Sequence, residues 1–159
     1  MNNGELIRKM VKNAIVAALY MVLTLAIAPL AYGDVQFRLS EIMLLIMLIN
    51  SDYAGGLILG CAIANMFSPL GIIDVIFGTL ATALSVLAMS KTKNHILASI
   101  WPSIFNGLII GAELAYIYKL PFAVTAASVA FGEFVVVSCI GLVVFKLIML
   151  NKKVVKILS

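Results

Sequence analysis

Long apolar stretches alternate with short polar turns along the whole chain. Five stretches have the length of a membrane-spanning or buried helix, and they occupy approximately residues 11–31, 53–67, 72–89, 96–117 and 122–147. A sixth, residues 41–49, has only nine residues, too few to cross about 30 Å of hydrocarbon as an isolated helix. We therefore predict an all-α integral membrane protein with six transmembrane helices, the second of which tilts, thins the bilayer or lies against its neighbours.

Two local features modify this series. Residues 35–39 read Val-Gln-Phe-Arg-Leu, an apolar–polar alternation typical of a small strand or extended segment. We expect a short structured outer loop there, between helices 1 and 2. In the fifth helix, Pro102 is expected to kink the first half.

The composition agrees with a membrane protein. Of 159 residues, 64% are hydrophobic and 11% charged, whereas a soluble domain is about half apolar and about a quarter charged. Six spans and short loops use nearly the whole length. Residues 1–159 are thus expected to form a single transmembrane domain in the lipid bilayer, with no room for a soluble catalytic module.

The basic residues indicate topology. The net charge is +4, but Lys and Arg sit at the ends of apolar segments, where they act as topology signals and not as a nucleic-acid surface. With six spans, nine of the eleven fall on one side, and only Arg38 and Lys119 fall on the other. Because positive charge marks the cytoplasmic side, both termini are predicted to be cytoplasmic in a multi-pass protein of the cell membrane.

Most of the acids fall at the outer loops or within the membrane under this topology: Asp34, Glu41, Asp74, Glu113 and Glu133. A carboxylate at the bilayer centre costs roughly 2.5–3.5 kcal/mol on insertion scales. Glu113 and Glu133 are the most deeply embedded, and no Lys or Arg is expected at their depth. Such an acidic cavity favours a cationic or donor-rich ligand.

Amide side chains accompany these acids. Asn106 and Glu133 are expected near mid-membrane, and Asn106 precedes Glu113 by seven residues, which puts both on one helix face. Asn65 lies near the outer end of helix 3, and Asp74 begins helix 4. We therefore expect these polar groups to converge on the outward half of the protein.

A purely structural interpretation of the same residues stays open. Asn side chains can join membrane helices, Glu41 can cap helix 2 beside Ser40, and Arg38 can pair with a nearby acid.

Small residues recur at four-residue spacing, which lets membrane helices approach closely. The stripes are Ala14 with Ala18, Gly56 with Gly60 and Ala64, and Gly107 with Gly111. The glycines are expected to serve internal packing. The alanines of helix 1 could equally face another protein.

Signatures of catalysis and metal binding are absent from the sequence. There is no GxxxxGK[ST] phosphate loop, no HExxH and no GxSxG, and the single histidine, His95, falls in a cytoplasmic loop. Cys61 and Cys139 lie in apolar segments without CxxC spacing. We predict no catalytic residues, no metal site and no cofactor.

Several segments resemble a known group of membrane proteins. The Ala14-x-x-x-Ala18 helix, a structured outer loop, a short second helix and six spans in under 200 residues resemble the substrate-binding S components of energy-coupling factor (ECF) transporters. Within that group, residues 36–41 (Gln-Phe-Arg-Leu-Ser-Glu), 65–74 (Asn-Met-Phe-Ser-Pro-Leu-Gly-Ile-Ile-Asp) and 78–82 (Gly-Thr-Leu-Ala-Thr) resemble the QueT family, proposed to import queuosine precursors.

The resemblance implies a high-affinity substrate-binding subunit that is not itself an enzyme. Its partners would be a transmembrane T subunit and two cytoplasmic ATPases, which would explain the missing phosphate loop. Ala14 and Ala18 would contact the T subunit. Transport would involve toppling of the whole S component in the membrane.

The implied ligand is a 7-deazaguanine such as preQ1, with a guanine-like edge and an aminomethyl cation. Carboxylates can accept hydrogen bonds from the ring edge and pair with the ammonium, and Asn can read the carbonyl. We expect Glu113 and Glu133 to supply carboxylates, with Asn106 and Asn65 as amide partners. The outer lid would hold Glu41, Arg38 and Asp74.

Three alternatives remain. The first is an S component for a different vitamin or cationic heterocycle, for example a thiamine-like compound. The second is an intramembrane enzyme that uses the two glutamates as acid and base. The third is a structural or assembly subunit without a ligand, in which the acids could be replaced without loss of function.

Overall fold

A computed structural model describes residues 2–33 and 35–158 of the chain. Its α-helices are α1 (Asn3–Ala26), α2 (Ala28–Ala31), α3 (Ala54–Asn65), α4 (Ile72–Lys91), α5 (His95–Ala98), α6 (Trp101–Tyr118), α7 (Phe122–Glu133), α8 (Leu142–Leu150) and α9 (Lys152–Leu158). Two 3₁₀ helices, Leu39–Leu48 and Ser51–Tyr53, precede α3, and a π-helical segment, Phe134–Gly141, joins α7 to α8. The described residues contain no strand, so the predicted all-α class is confirmed.

Four helices are long and apolar enough to cross a membrane: Asn3–Ala26, Ile72–Lys91, His95–Tyr118 and Phe122–Leu150. Two further apolar helices are shorter. The twelve residues of α3 rise about 18 Å. The ten residues of Leu39–Leu48 extend to about 20 Å, because a 3₁₀ helix rises about 2.0 Å per residue. The segment predicted at 41–49 is therefore helical but has the more extended 3₁₀ form.

Residues 35–38, the described residues just before the Leu39–Leu48 helix, form no strand. The Phe37 amide donates to the Leu30 carbonyl at 3.0 Å, and Gln36 has φ = +51°. The Phe37 amide thus bonds to α2 and not to a second extended segment, so no ladder forms. The strand-like alternation at 35–39 is an irregular turn whose side chains point alternately inward and outward.

Pro102 directly follows an interruption of the fifth apolar helix, between Ala98 and Trp101. It occupies the first turn of α6, where its missing N–H would have no intrahelical partner. Ser99 and Ile100, between the single-turn helix α5 and α6, keep right-handed helical backbone angles, and His95–Tyr118 forms one membrane-length apolar stretch.

The glycine stripes pack helices against one another, as predicted. A Cβ on Gly60 would lie 2.9 Å from the Ala17 Cα, at the contact of α3 with α1. A Cβ on Gly111 would lie 2.5 Å from the Ala126 Cα, where α6 meets α7. The remaining neighbours complete a bundle in which α3 contacts α4, α4 contacts α6, and the Leu39–Leu48 helix packs among α1, α4 and the π-helical segment.

Contacts between turns define the two ends of the bundle. At one end, Lys9 forms an ion pair of 2.6 Å with Asp52, and Asn13 donates to the Asp52 carbonyl at 2.9 Å. At the other end, the turns that contain Tyr32, Ser68 and Pro121 meet around a cavity. Asp34, which was expected in the outer loop, lies outside the described residues.

Candidate functional site

A buried polar cluster lies between the turns of the cavity end and the middle of the bundle. All seven residues predicted to bind ligand are at least nine-tenths buried, and the structure places them as follows: Arg38, Glu41, Asn65, Asp74, Asn106, Glu113 and Glu133 are 1%, 0%, 0%, 2%, 1%, 5% and 0% exposed. Their side chains come from the 35–38 turn, the Leu39–Leu48 helix, α3, α4, α6 and α7.

Arg38 reaches this cluster because two glycines leave room for its segment. A Cβ on Gly132 would overlap the Val35 carbonyl oxygen, so α7 accepts the 35–38 backbone only where it has no side chain. A Cβ on Gly78 would overlap the Asn65 amide and lie 3.7 Å from Arg38 Nη1. The guanidinium therefore lies in the interior, against α4.

The interior position of Arg38 corrects two expectations. It was expected at an outer lid, and no cation was expected near Glu113 and Glu133. Instead its guanidinium is within electrostatic range of four carboxyl groups: Glu41, Asp74, Glu113 and Glu133. The 35–38 turn folds into the bundle. The distance of Arg38 from these acids along the sequence could not predict this fold. One cation thus faces four acids.

Glu41 lies in the first turn of the Leu39–Leu48 helix and does not cap it. Its Oε1 accepts hydrogen bonds from the Tyr20 hydroxyl and, at 3.4 Å, from Thr82 Oγ1, whereas Oε2 has no partner among the described residues. Ser40 instead pairs with the hydroxyl of Thr24, at 2.7 Å. Two side chains thus hold Glu41 from α1 and α4, and one oxygen remains to face the cluster.

The packing of α6 on α7 gives the relative depth of the two deepest acids. The close contacts are Gly107 with Ala130 and Gly111 with Ala126. In this antiparallel register, Glu133 lies level with Ile104, nine residues before Glu113 on α6. Nine residues correspond to about 13–14 Å along the axis. Glu113 and Glu133 are therefore at different levels.

Each of these acids interacts with a different acidic neighbour. The Glu113 carboxyl interacts with Asp74 of α4, and the Glu133 carboxyl interacts with Glu41. We call Asp74 with Glu113 the outer pair and Glu41 with Glu133 the inner pair. Asp74 is held by the Ser68 hydroxyl, which donates to Oδ2.

The cluster contains an unusual concentration of unsatisfied polar atoms. Native proteins bury few side-chain polar atoms without a partner, yet eleven lack one here among residues 2–33 and 35–158. They are Arg38 Nη2, Glu41 Oε2, Asn65 Oδ1, Asp74 Oδ1, Thr79 Oγ1, Ser103 Oγ, Asn106 Nδ2 and both carboxylate oxygens of Glu113 and of Glu133. Every predicted binding residue contributes at least one of them.

Two members of this set were not predicted. Ser103 precedes Asn106 by one helical turn on the buried face of α6, and Thr79 follows Gly78 on α4. The three-residue spacing of Ser103 from Asn106 was a usable signal. Thr79 could not be selected, because α4 carries several hydroxyl residues and the sequence does not say which of them are enclosed.

A cavity of about 220 Å³ opens at the end of the cluster where the turns of Tyr32, Ser68 and Pro121 meet. Asp74 is the predicted residue in its wall, together with apolar and hydroxyl side chains of the three turns and of α6 and α7. Tyr32, also in the wall, donates to the Ala64 carbonyl at 2.6 Å, and burial raises the pKa of its hydroxyl, which therefore stays a donor. The volume is below the roughly 300–1,000 Å³ of drug-sized sites, so the cavity suits a small ligand.

Ala14 and Ala18 lie apart from this cluster. Both are exposed on α1, on the face away from the buried Val16, Ala17 and Tyr20. In a membrane this face contacts lipid or another protein.

Comparisons with known proteins agree with the resemblance noted in the sequence. A sequence model of the family described as QueT transporter matches residues 10–150. A protein of Lactococcus lactis subsp. cremoris (strain MG1363) named "Queuosine precursor transporter QueT" is 34% identical, over 76% of this chain and 80% of its own length. No solved structure matches the chain.

Family and fold together define the general role. Both the family and this relative are named as transporters, not enzymes, and the apolar helices place the protein in the cell membrane as a multi-pass protein. The chain belongs to the QueT transporter family.

Proposed function

We propose that this protein is the substrate-binding S component of an ECF importer for a queuosine precursor, preQ1 or a related 7-deazaguanine. The observation that carries the proposal is the set of buried polar atoms without partners between the Leu39–Leu48 helix, α4, α6 and α7. A buried unsatisfied group costs about 1–3 kcal/mol, which a ligand with complementary groups would offset. The name of the Lactococcus lactis relative supports the ligand class.

The seven predicted residues fit the chemistry of this ligand. Carboxylates accept from the N–H groups of a guanine-like edge and from an ammonium, and Asn and Arg donate to its carbonyl. With four acids and one guanidinium, the cluster carries excess negative charge when the acids are ionised. That excess favours a cationic ligand.

We further propose that the two short helices complete six crossings, with both termini in the cytoplasm. The distribution of Lys and Arg supports this, since nine of the eleven lie on the side away from the cavity when six crossings are assigned. The cavity would then open outward, where an importer captures its cargo. The T subunit and the two ATPases would supply energy from the opposite side.

Ligand binding to the purified protein tests the proposal. Isothermal titration should detect preQ1 binding, and Glu133→Gln and Glu113→Gln should each weaken it about tenfold or more, because charge-assisted hydrogen bonds contribute about 1.5–3 kcal/mol. Glu5→Gln, an exposed acid on α1, is the matched control and should bind normally. If both cluster variants bind preQ1 as tightly as the wild type does, the proposed site is wrong. If thiamine binds in preference to preQ1 in a competition panel, the proposed ligand is wrong and a thiamine-like ligand takes its place.

A second experiment tests the partner surface. Ala14→Leu and Ala18→Leu should leave ligand affinity unchanged, because both alanines face away from the cluster, but should abolish uptake in cells that also express a T subunit and two ATPases. Ala26→Leu, an exposed alanine at the other end of α1, is the control and should transport. Normal uptake by both stripe variants would contradict the assignment.

A further inference from the structure

We propose that the two acid pairs divide the ligand between them. The outer pair, Asp74 with Glu113, binds the ligand's ammonium group, and the inner pair, Glu41 with Glu133, binds the edge of its heterocycle. The inference rests on the proposed function and adds to it the role of each carboxylate.

When both of its acids are ionised, the outer pair offers only acceptors. Its unpartnered atoms are Asp74 Oδ1 and the two carboxylate oxygens of Glu113, three oxygens in all. An alkylammonium has three N–H donors and no acceptor, so it can satisfy all three without leaving a new unpaired group. Asp74 also forms part of the cavity wall, where an aminomethyl group can approach.

The inner pair lies among both donors and acceptors. Glu41 Oε2 and the two oxygens of Glu133 are acceptors, whereas Asn106 Nδ2 and Arg38 Nη2 are donors. The hydroxyl of Ser103, one turn from Asn106, can act as either. A ring edge that combines N–H donors with a carbonyl acceptor matches this mixed set, and a bare ammonium does not.

The depth of the pairs agrees with this division. Asn106 is two residues from the level of Glu133 and seven from Glu113, so the donor amide belongs with the inner pair. The pairs are about 13–14 Å apart along α6, and carboxylate side chains from both levels can extend into this interval. Arg38 Nη1 lies 3.7 Å from the position of a Cβ on Gly78. Gly78 is midway between Asp74 and Thr82, which donates to Glu41, so Arg38 lies between the levels. A bicyclic ring with a one-carbon ammonium arm can therefore reach both pairs at once.

The test compares ligands that differ only in the substituent at position 7, which is cationic in one and neutral in the others. The probes are 7-aminomethyl-7-deazaguanine, which is cationic, and two neutral analogues, 7-cyano- and 7-methyl-7-deazaguanine. Glu113→Gln and Asp74→Asn should weaken the cationic probe about tenfold or more and change the neutral probes less than about twofold, whereas Glu133→Gln should weaken all three. Glu5→Gln is the control for each probe, and size-exclusion chromatography checks folding.

The outcomes separate this inference from the function on which it rests. Wild-type protein that binds none of the probes overturns the proposed function, and the division of roles with it. In a second outcome, the wild type binds both the cationic and the neutral probes, and the outer-pair variants weaken both kinds of probe by the same factor or not at all. This result overturns only the division of roles. Because Asp74→Asn also perturbs the bond from Ser68, Glu113→Gln alone decides the outcome if Asp74→Asn fails to purify as a folded protein.

Discussion

Replacing Gly132 by Ala should displace the turn that carries Arg38. The added methyl would overlap the Val35 carbonyl oxygen and come within 3.1 Å of the Val35 carbonyl carbon and 3.2 Å of the Gln36 oxygen. All three are backbone atoms, so no side-chain rotation can relieve the contact, and the turn itself must move. Overpacking of this kind costs about 1–3 kcal/mol, whereas Ala in place of a helical Gly returns about 0.5–1 kcal/mol.

The expected net loss of stability is about 1–2 kcal/mol, which lowers the apparent unfolding temperature by roughly 2–8 °C for a chain of this size. Ligand affinity should fall about tenfold or more, because the shift moves Arg38 away from its acids. Thermal unfolding in detergent and titration with preQ1 measure the two effects. Gly4→Ala, where an added Cβ meets nothing within 4 Å, is the matched control. If Gly132→Ala matches the wild type in both assays, the 35–38 turn is not held against α7 as described.

Three further substitutions test individual contacts. Tyr20→Phe removes a donor to Glu41 and should lower both stability, by about 1–3 kcal/mol, and ligand affinity; unchanged thermal unfolding would contradict the bond. Asp52→Asn breaks the ion pair with Lys9, in which the Asp52 side chain is 51% exposed and the Lys9 side chain 41% exposed. Chemical denaturation should therefore show a change in stability of at most about 1 kcal/mol. Gly60→Ala places a methyl against the α1 backbone and should lower the unfolding temperature by several degrees, without a change in affinity that exceeds its effect on the folded fraction.

Local signals predicted most helices well. The predicted range 72–89 corresponds to α4 (Ile72–Lys91), because Gly71 marks its start and a lysine marks its end. The range 122–147 became two α-helices joined by a π-helical segment, which hydrophobic periodicity does not reveal. The 3₁₀ form of Leu39–Leu48 was equally hidden, since it depends on how ten apolar residues pack among α1, α4 and the π-helical segment.

The seven residues predicted to bind ligand are all buried in the structure, but their arrangement was not predictable. A carboxylate within the bilayer carries a free-energy cost, so an embedded acid such as Glu113 or Glu133 stands out from the sequence alone. Pairing is different, because it depends on helix register: Gly107 and Gly111 set the depth of Glu133 against α6. The position of Arg38 depends on a turn of four residues, and no periodic pattern describes its path.

Glu113 should contribute opposite signs to binding and to the stability of the ligand-free protein. Its carboxyl group is buried beside the carboxyl group of Asp74, and two buried like charges repel each other, which destabilises the ligand-free protein. Glu113→Gln removes the charge and keeps the shape, and we expect the ligand-free variant to unfold about 2–8 °C higher than the wild type while it binds preQ1 more weakly. A structural role predicts the reverse, because removal of a useful contact lowers the unfolding temperature. Sites that serve ligands are commonly maintained at the expense of stability. Thermal unfolding of the ligand-free wild type and of the ligand-free variant therefore distinguishes a ligand-binding role of Glu113 from a structural one.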